Sequence, residues 1–567
     1  MDWYKNLAEN ISTSIIKNAY DKFLKEGKNL DFMGVTVFEE ADSFTPGKMV
    51  DAFSEVLNMT KEELNYLIDL TIQQNISTWG ILYYLRGLVR LNKRINISEL
   101  IGIEKLNLLK QKLHYRTFLT DDLKLKYPMP TNYLGCAFAI CLYRENLGWE
   151  NEDNSHKILT NLMKHVSKFS KSGLYSDEGN GEGRFDRYTF LLPAELCERL
   201  IDCGKEVPSY ILTMLRKSCD VVMMLDNDRG AGFNYGRSIG IYGDTAVMEI
   251  LSVAAYLGVL KNDELETAYN YCQRVAKRIT WIWFDKEKTV FDMWSDGKKG
   301  DNYLSPDRAL GDNLSVSMHL INTFNLWKKV DIEEPSSEDE KQFYFETFAN
   351  DENMYALAIF KDKGYSFSIP FISGGSGRYL HSAYFPVPQE GSILVCPPSS
   401  PLPMLTPVFV TKQEECLSPI VFFKNIKHKE NGEKIYISYE MDGICLIGGL
   451  EPKKDKRIKV KSEYFINPGI IEKHDVYTID ETIDLKCMVM EFANFLKPVN
   501  KLGNKVIFSG SGIKSFEARG LDIVSIVDVS KEKRYSTPVG NLKGLVQYVR
   551  DTFVPGKPIE ITWTLTY

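Results

Sequence analysis

Several absences narrow this chain before any motif does. Only seven of its 567 residues are histidine, and none stands in a His-x-His or His-x-x-x-His spacing. A metal centre built on paired imidazoles is therefore not expected, nor is a cofactor. The ten cysteines include no Cys-x-x-Cys pair, and Cys136, Cys141, Cys197, Cys203 and Cys219 are scattered, several of them in apolar helical stretches. That is the pattern of reduced, buried thiols. No Lys/Arg block is long enough to make a nucleic-acid footprint: the net charge is -7, and Lys453-Lys454-Asp455-Lys456-Arg457 reads as a solvated turn. Long apolar runs are missing too. The longest, around Ala246 to Leu260, carries Glu249 and is too short to span a bilayer. The first residues, Met1-Asp2-Trp3-Tyr4-Lys5-Asn6, lack the basic start and apolar core of a signal peptide. The expectation is a soluble, cytoplasmic protein that binds neither nucleic acid nor membrane and takes a small or oligomeric molecule as its partner.

What is present falls into two halves. Up to about Val330 the apolar residues recur at three and four, and stop signals divide the chain into about twelve helical segments. These begin near Tyr4, Pro46, Thr60, Thr78, Ile97, Thr131, Asn154, Asp186, Pro208, Ser238, Asp263 and Asp307. Six antiparallel pairs that close on themselves would make an α/α toroid; an open solenoid or a lopsided bundle has the same helix count. The acidic stretch Asp331-Ile332-Glu333-Glu334-Pro335 then reads as a linker. Beyond it come strand signatures at Tyr365 to Ile369, Ser392 to Cys396, Lys434 to Tyr439, Ile523 to Val527 and Ile559 to Leu565, with turns at Asn431-Gly432 and Asp442-Gly443. The expected architecture is an (α/α)6 toroid over residues 1–330, a linker over 331–342 and an antiparallel β-sandwich over 343–567.

Three polar segments in the helical half each precede an apolar helix. One is Pro130-Thr131-Asn132-Tyr133. The second is the glycine-rich loop from Tyr175 through Arg184-Phe185-Asp186-Arg187 to Tyr188. The third is Gly230 to Tyr242, which carries Tyr235-Gly236-Arg237-Ser238, with Ser238 as the expected N-cap. In a toroid, alternate helices start at the same end, so these three loops are expected to share a cavity.

In this order and with these segments, the chain resembles the heparinase II/III-like and alginate-lyase-like polysaccharide lyases, and most of all the bacterial DUF2264 group, whose helical domain carries a similar Gly-Arg-Ser element. The motif resemblance covers roughly residues 110 to 330. It implies an enzyme that cleaves uronic-acid-containing oligosaccharides by β-elimination. It also implies a histidine reaching over the cleft from the β domain, for which His381 with Tyr384 are the candidates. Ligands for the structural zinc often found in the heparinase II type have no match in this chain.

Elimination requires the uronate carboxylate to be neutralised, the C5 proton removed and the departing oxygen protonated. Amide and guanidinium donors suit the neutralisation, which points to Asn132 and Arg237, with Arg184 as a third. A tyrosine beside a cation suits the proton transfer; Tyr235 is the first choice and Tyr188 and Tyr242 are its rivals. Asn132 reads equally well as a helix cap. Tyr133, Asp186 and Trp294 complete the expected substrate contacts, Trp294 by stacking on a sugar ring. Two other classes stay open. A glycoside hydrolase would draw a carboxylate pair from Asp177, Glu178, Glu182, Asp186, Asp244, Asp307 and Asp312. A carbohydrate-binding protein would keep the aromatic cleft and lack the base.

Overall fold

A computed structural model describes residues 2–567 apart from 57, 128, 151–152, 177–182, 301–303, 333–341, 373–403, 448–451, 511 and 555. Ser392 to Cys396, one of the expected strands, therefore lies outside the described residues, as does most of the expected linker.

The helical half is a closed double ring. Six helices form the inner ring: Thr45–Val56, Thr78–Asn92, Asn132–Asn146, Arg187–Asp202, Ile241–Tyr256 and Ala309–Trp327. Each packs on the next, and Ala309–Trp327 returns to pack on Thr45–Val56, which distinguishes a toroid from an open solenoid. The helical stretch from Trp3 to Glu26 and the helices Lys61–Ile72, Asn154–Phe169, Ser209–Met224 and Asn262–Ile282 alternate with them on the outside. The remaining outer position is split at Gly102 into Ile97–Ile101 and Ile103–Lys112.

Side-chain pattern decides which ring a helix joins. Asn154–Phe169 buries Ile158, Leu159, Leu162 and Val166 and exposes His156, Lys157 and Lys168, as a helix with one face to water must. Ile241–Tyr256 buries residues on every side, which fits only an interior position. Where inner helices touch, glycine lets the backbones meet. A Cβ on Gly47 would fall 1.9 Å from the Gly80 carbonyl oxygen, and one on Gly87 would fall 3.0 Å from Asp51 Cα.

The C-terminal half is antiparallel throughout its named sheets. An eight-stranded sheet runs in the order 424–431, 434–441, 458–467, 470–479, 559–566, 515–519, 505–508 and 498–502. It faces a seven-stranded sheet built around Leu485–Asn494 and Gly544–Arg550. Strand Ile458–Asn467 buries every second residue, from Ile458 through Val460, Ser462 and Tyr464 to Ile466, as a strand over a sandwich core should. Asn431 closes a hairpin as expected. Asp442-Gly443 does something else: it carries the chain from the larger sheet into the smaller one.

Between the halves lies a three-stranded sheet, Phe343–Asn350, Met354–Asp362 and Tyr365–Phe371. Phe348, Leu357 and Ile359 join the helical core, while Ala356, Ala358, Phe360, Phe367 and Ile369 join the sandwich core. The period of two in this sheet thus glues the two halves together. Among the described residues, no helix is long and apolar enough to cross a membrane, and the nine described cysteines are all unbridged.

Substituting Gly47→Ala is expected to force the first two inner helices apart, at a cost of roughly 1–3 kcal/mol. Thermal denaturation reads this as a lowered midpoint; an unchanged midpoint would mean that the helices can separate without loss.

Candidate active site

The inner helices start at one end of the ring, and all six contribute to a cleft of about 510 Å³ there. Asp42, Ser43, Phe44 and Lys48 come from the first, and Trp79 and Tyr83 from the second. Pro130, Asn132 and Tyr133 come from the third, Arg187, Tyr188, Leu191 and Glu195 from the fourth, Arg237, Ser238, Tyr242, Thr245 and Glu249 from the fifth, and Asp307, Arg308, Ser315 and His319 from the sixth. Six helix N-termini, with the positive ends of their dipoles, make such a mouth favourable for negative charge.

Three of the sequence candidates meet at the rim. Asn132 occupies the first turn of its helix, behind Thr131, and its buried Oδ1 accepts from Arg237 Nη2 at 3.3 Å. It does not act as the cap. The Arg237 guanidinium lies over the Tyr188 ring at 4.2 Å, and that of Arg187 lies over the same ring at 4.5 Å. Tyr188 Oη is 3.0 Å from Ser238 Oγ. Arg187 Nε donates to the Tyr242 carbonyl at 2.9 Å, tying the fourth helix to the fifth.

Local backbone geometry explains why these groups meet. Asp186 caps Arg187–Asp202 by accepting from Tyr188 N at 3.0 Å, and its other oxygen accepts from Arg237 N at 3.4 Å. Gly236, at φ +85°, makes this approach possible, since a Cβ there would stand 2.3 Å from Asp186 Cβ. Ser238 has φ +53°, a left-handed conformation uncommon for a residue with a side chain. The cap of the next helix is Gly240, two residues beyond the expected Ser238. Ser238 turns its hydroxyl to Tyr188 instead.

Several expectations are corrected by this geometry. Tyr235 is fully buried beside Phe233 and does not line the cleft; its hydroxyl has no hydrogen-bond partner among the described residues. Burial, with the Asp186 charge added, pushes the Tyr235 phenol well above its ordinary range. The cation expected to lower it, Arg237, is spent on Tyr188. Arg184 and Asp186 are buried 3.9 Å apart under the turn and do not line the cleft. Trp294 donates its indole N–H to the Leu304 carbonyl at 3.1 Å and packs behind the wall with Ile239, Trp283 and Pro538, so it presents no face to a sugar in the cleft. Tyr133 and Tyr242 do line it. His381 and Tyr384 lie outside the described residues, as do Asp177, Glu178 and Glu182.

Of the other carboxylates considered, Asp307 lines the cleft. Asp312 is fully buried against Lys48 at 2.6 Å and Arg308 at 3.4 Å, and Asp244 is buried against Arg278 at 3.0 Å.

The floor holds residues that the sequence motifs do not include: Tyr83, Glu195, Glu249 and His319, each more than one turn inside an inner helix. Glu249 is visible in the sequence as a lone carboxylate in the most apolar run of the chain. Burial, together with the charges of Glu198 and Glu195, holds its carboxyl well above the usual carboxylate range. Burial and the nearby Arg86 and Arg199 hold the His319 imidazole well below its usual value, hence neutral. Among the described residues, no cluster of three or more His, Cys, Asp or Glu is placed to hold a metal ion.

No family model matches the chain, so membership of the DUF2264 group is not supported, and no curated protein matches it either. Similar solved structures exist. Chondroitinase AC lyase is 7% identical, with a TM-score of 0.47, over 99% of this chain and 82% of that one. Heparinase III is 8% identical, with a TM-score of 0.34, over 99% and 93%. A glycosyl hydrolase of family 88 from Bacteroides vulgatus is 10% identical, with a TM-score of 0.38, over 56% of this chain and 99% of that one. Similarity at this level does not specify a reaction or a substrate.

Tyr235→Phe is expected to leave turnover within about threefold of wild type and stability unchanged or slightly raised, because a buried hydroxyl without a partner contributes nothing on removal. Steady-state rates and a melting curve test this; loss of activity in a folded variant would return Tyr235 to the reaction.

Proposed function

We propose that the chain is a carbohydrate-active enzyme that cleaves uronic-acid-containing oligosaccharides by β-elimination. The observation that carries this reading is the joined amide and guanidinium of Asn132 and Arg237, 3.3 Å apart, with the guanidinium over the Tyr188 ring. A uronate carboxylate docked on that pair has its charge neutralised by two donors, which makes its C5 hydrogen more acidic. Tyr188, as the phenolate, then takes the proton and becomes the phenol; the negative charge it carries beforehand lies beneath two guanidinium groups, with its oxygen 3.0 Å from the Ser238 hydroxyl. Six converging helix N-termini add to the attraction for an acidic sugar. The aromatic rings of Trp79 and Tyr133 supply apolar walls of the kind sugar rings stack on.

A hydrolytic reading has one observation in its favour. Glu249, held protonated, and Glu195 line the same cleft, and a pair of carboxyl groups is the equipment of a glycosidase. A binding protein without chemistry would have no need of a buried, protonated carboxyl at its floor.

Incubation with uronic-acid oligosaccharides is expected to raise ultraviolet absorbance, because elimination leaves a double bond conjugated to the carboxylate. Tyr188→Phe is expected to lower that rate by roughly 100-fold or more with the protein still folded. Asn132→Ala and Arg237→Lys should lower it comparably, since each removes a donor from the carboxylate clamp. Sugar release without the chromophore would decide for hydrolysis.

A further inference from the structure

We propose that Tyr83, His319 and Glu249 form a proton relay across the cleft floor that protonates the departing sugar oxygen. This rests on the elimination reading above and assigns the half of the reaction that Tyr188 leaves undone. When the C–O bond breaks, the departing oxygen carries the electron pair, and an unprotonated sugar alkoxide is a poor leaving group. Tyr188 is then occupied with the proton it has just taken, so an independent donor is an advantage.

The three residues come from three inner helices, Thr78–Asn92, Ala309–Trp327 and Ile241–Tyr256, and all three line the cleft. Tyr83 Oη is 3.4 Å from His319 Nε2, with the two rings set edge-on at 85°. On the other side of the imidazole, His319 Nδ1 is 3.3 Å from Glu249 Oε2, a close approach that is not aligned as a hydrogen bond and that a small rotation of the carboxyl converts into one. Glu249 is only 3% exposed, and its Oε1 has no hydrogen-bond partner among the described residues. A buried carboxyl kept this way costs stability and is not explained by packing, since its neighbours Met248, Ile250 and Leu251 are apolar and fully buried. The resting protonation suits a relay, with a neutral imidazole between a phenol and a protonated carboxyl.

The transfer balances in one pass. Tyr83 gives its hydroxyl proton to the departing oxygen as the C–O bonding pair moves onto that oxygen. His319 Nε2–H passes its proton to Tyr83 Oη, and Glu249 passes its own to His319 Nδ1. Tyr83 ends as a phenol, His319 as the other neutral tautomer and Glu249 as a carboxylate. Once the product leaves, a solvent proton entering at Tyr83 Oη runs the relay in reverse, Tyr83 giving its proton to His319 Nε2 and Nδ1–H returning its own to Glu249, which restores the starting state. The negative charge left on Glu249 is met by Arg199 and Arg187, the two cations acting on it.

The test compares two uronates that differ only in what departs from C4: an ordinary sugar alcohol, or fluoride, which needs no proton. Tyr83→Phe, His319→Gln and Glu249→Gln are each expected to slow release of the alcohol by roughly 100-fold or more and release of fluoride by less than about tenfold. Tyr188→Phe should slow both alike. Near-ultraviolet circular dichroism identifies any variant that has not folded, and the remaining variants carry the comparison. Equal losses on the two substrates in the folded relay variants overturn the relay while leaving the elimination reading intact. A wild-type protein that forms no unsaturated product from either substrate overturns the elimination reading and the relay with it.

Discussion

The carboxylate of Asp186 is the contact on which the geometry of the cleft turns. One of its oxygens caps the fourth inner helix and the other catches the backbone N–H of Arg237, so a single buried group fixes the mouths of two helices relative to each other. A helix cap is worth about 1 kcal/mol and a hydrogen bond to a charged group about 1.5–3 kcal/mol. The larger effect is positional. The two bonds place Tyr188 and Arg237 on adjacent turns, and ring and guanidinium then stack at 4.2 Å. Asp186 needs a close approach to do this, which Gly236 provides by having no Cβ, and the left-handed Ser238 that follows brings a hydroxyl to the Tyr188 phenol.

Much of this is legible in the amino-acid sequence alone, and the misses share a cause. The starts of the helices are readable because caps, glycines and prolines act locally, and the three loops at the mouth follow from the alternation of inner and outer helices. Asn132, Arg237 and Tyr188 share the cleft for that reason. Which tyrosine Arg237 serves is not readable: Tyr235 is two residues away along the chain, yet Tyr188, nearly fifty residues away, lies beneath the guanidinium. Proximity in sequence misleads in a turn: Gly236 at φ +85° breaks the extended backbone between the two, so Tyr235 enters the core while Arg237 lines the cleft. The pairing of Glu249 with His319 is unreadable for a different reason. Glu249 stands out as a lone carboxylate in an apolar run, but both residues sit inside inner helices far apart in the chain, and only closure of the ring brings them to one floor.

The floor stands on an unusual amount of buried charge. Below it, Arg86 bonds Asp51 at 3.0 and 3.1 Å and approaches Glu198 at 3.8 Å; Arg199 pairs with Glu198, and Arg90 reaches Asp51 and Asp202. Apolar side chains of equal volume would stabilise an interior at least as well as such pairs do. Stability alone therefore does not account for the network, whereas electrostatics does. Burial is the larger cause at both groups, and the network acts in the same direction: Glu198 and Glu195 raise the Glu249 carboxyl further, and Arg86 and Arg199 lower the His319 imidazole further. Charges arranged in this way reinforce what burial does to two groups in the cleft.

The sandwich also contributes to the geometry of the cleft. Its hairpin Ser536–Asn541 presses on the toroid beside the turn that carries Arg237: the Trp283 indole donates to the Pro538 carbonyl at 3.1 Å, and Lys299 N donates to the Thr537 carbonyl at 2.8 Å. Pro538 lies so close to Gly240 that a Cβ there would fall 2.4 Å from the proline ring. Gly240 caps the fifth inner helix and follows Arg237 by three residues. Asp186 holds that turn on its toroid side and Pro538 on its sandwich side. A strained residue such as Ser238 persists only where its surroundings over-determine it, and here one of the two constraints comes from the other domain. The sheet shared by both cores keeps the two halves in register, so the position of Arg237 over Tyr188 depends on the whole chain.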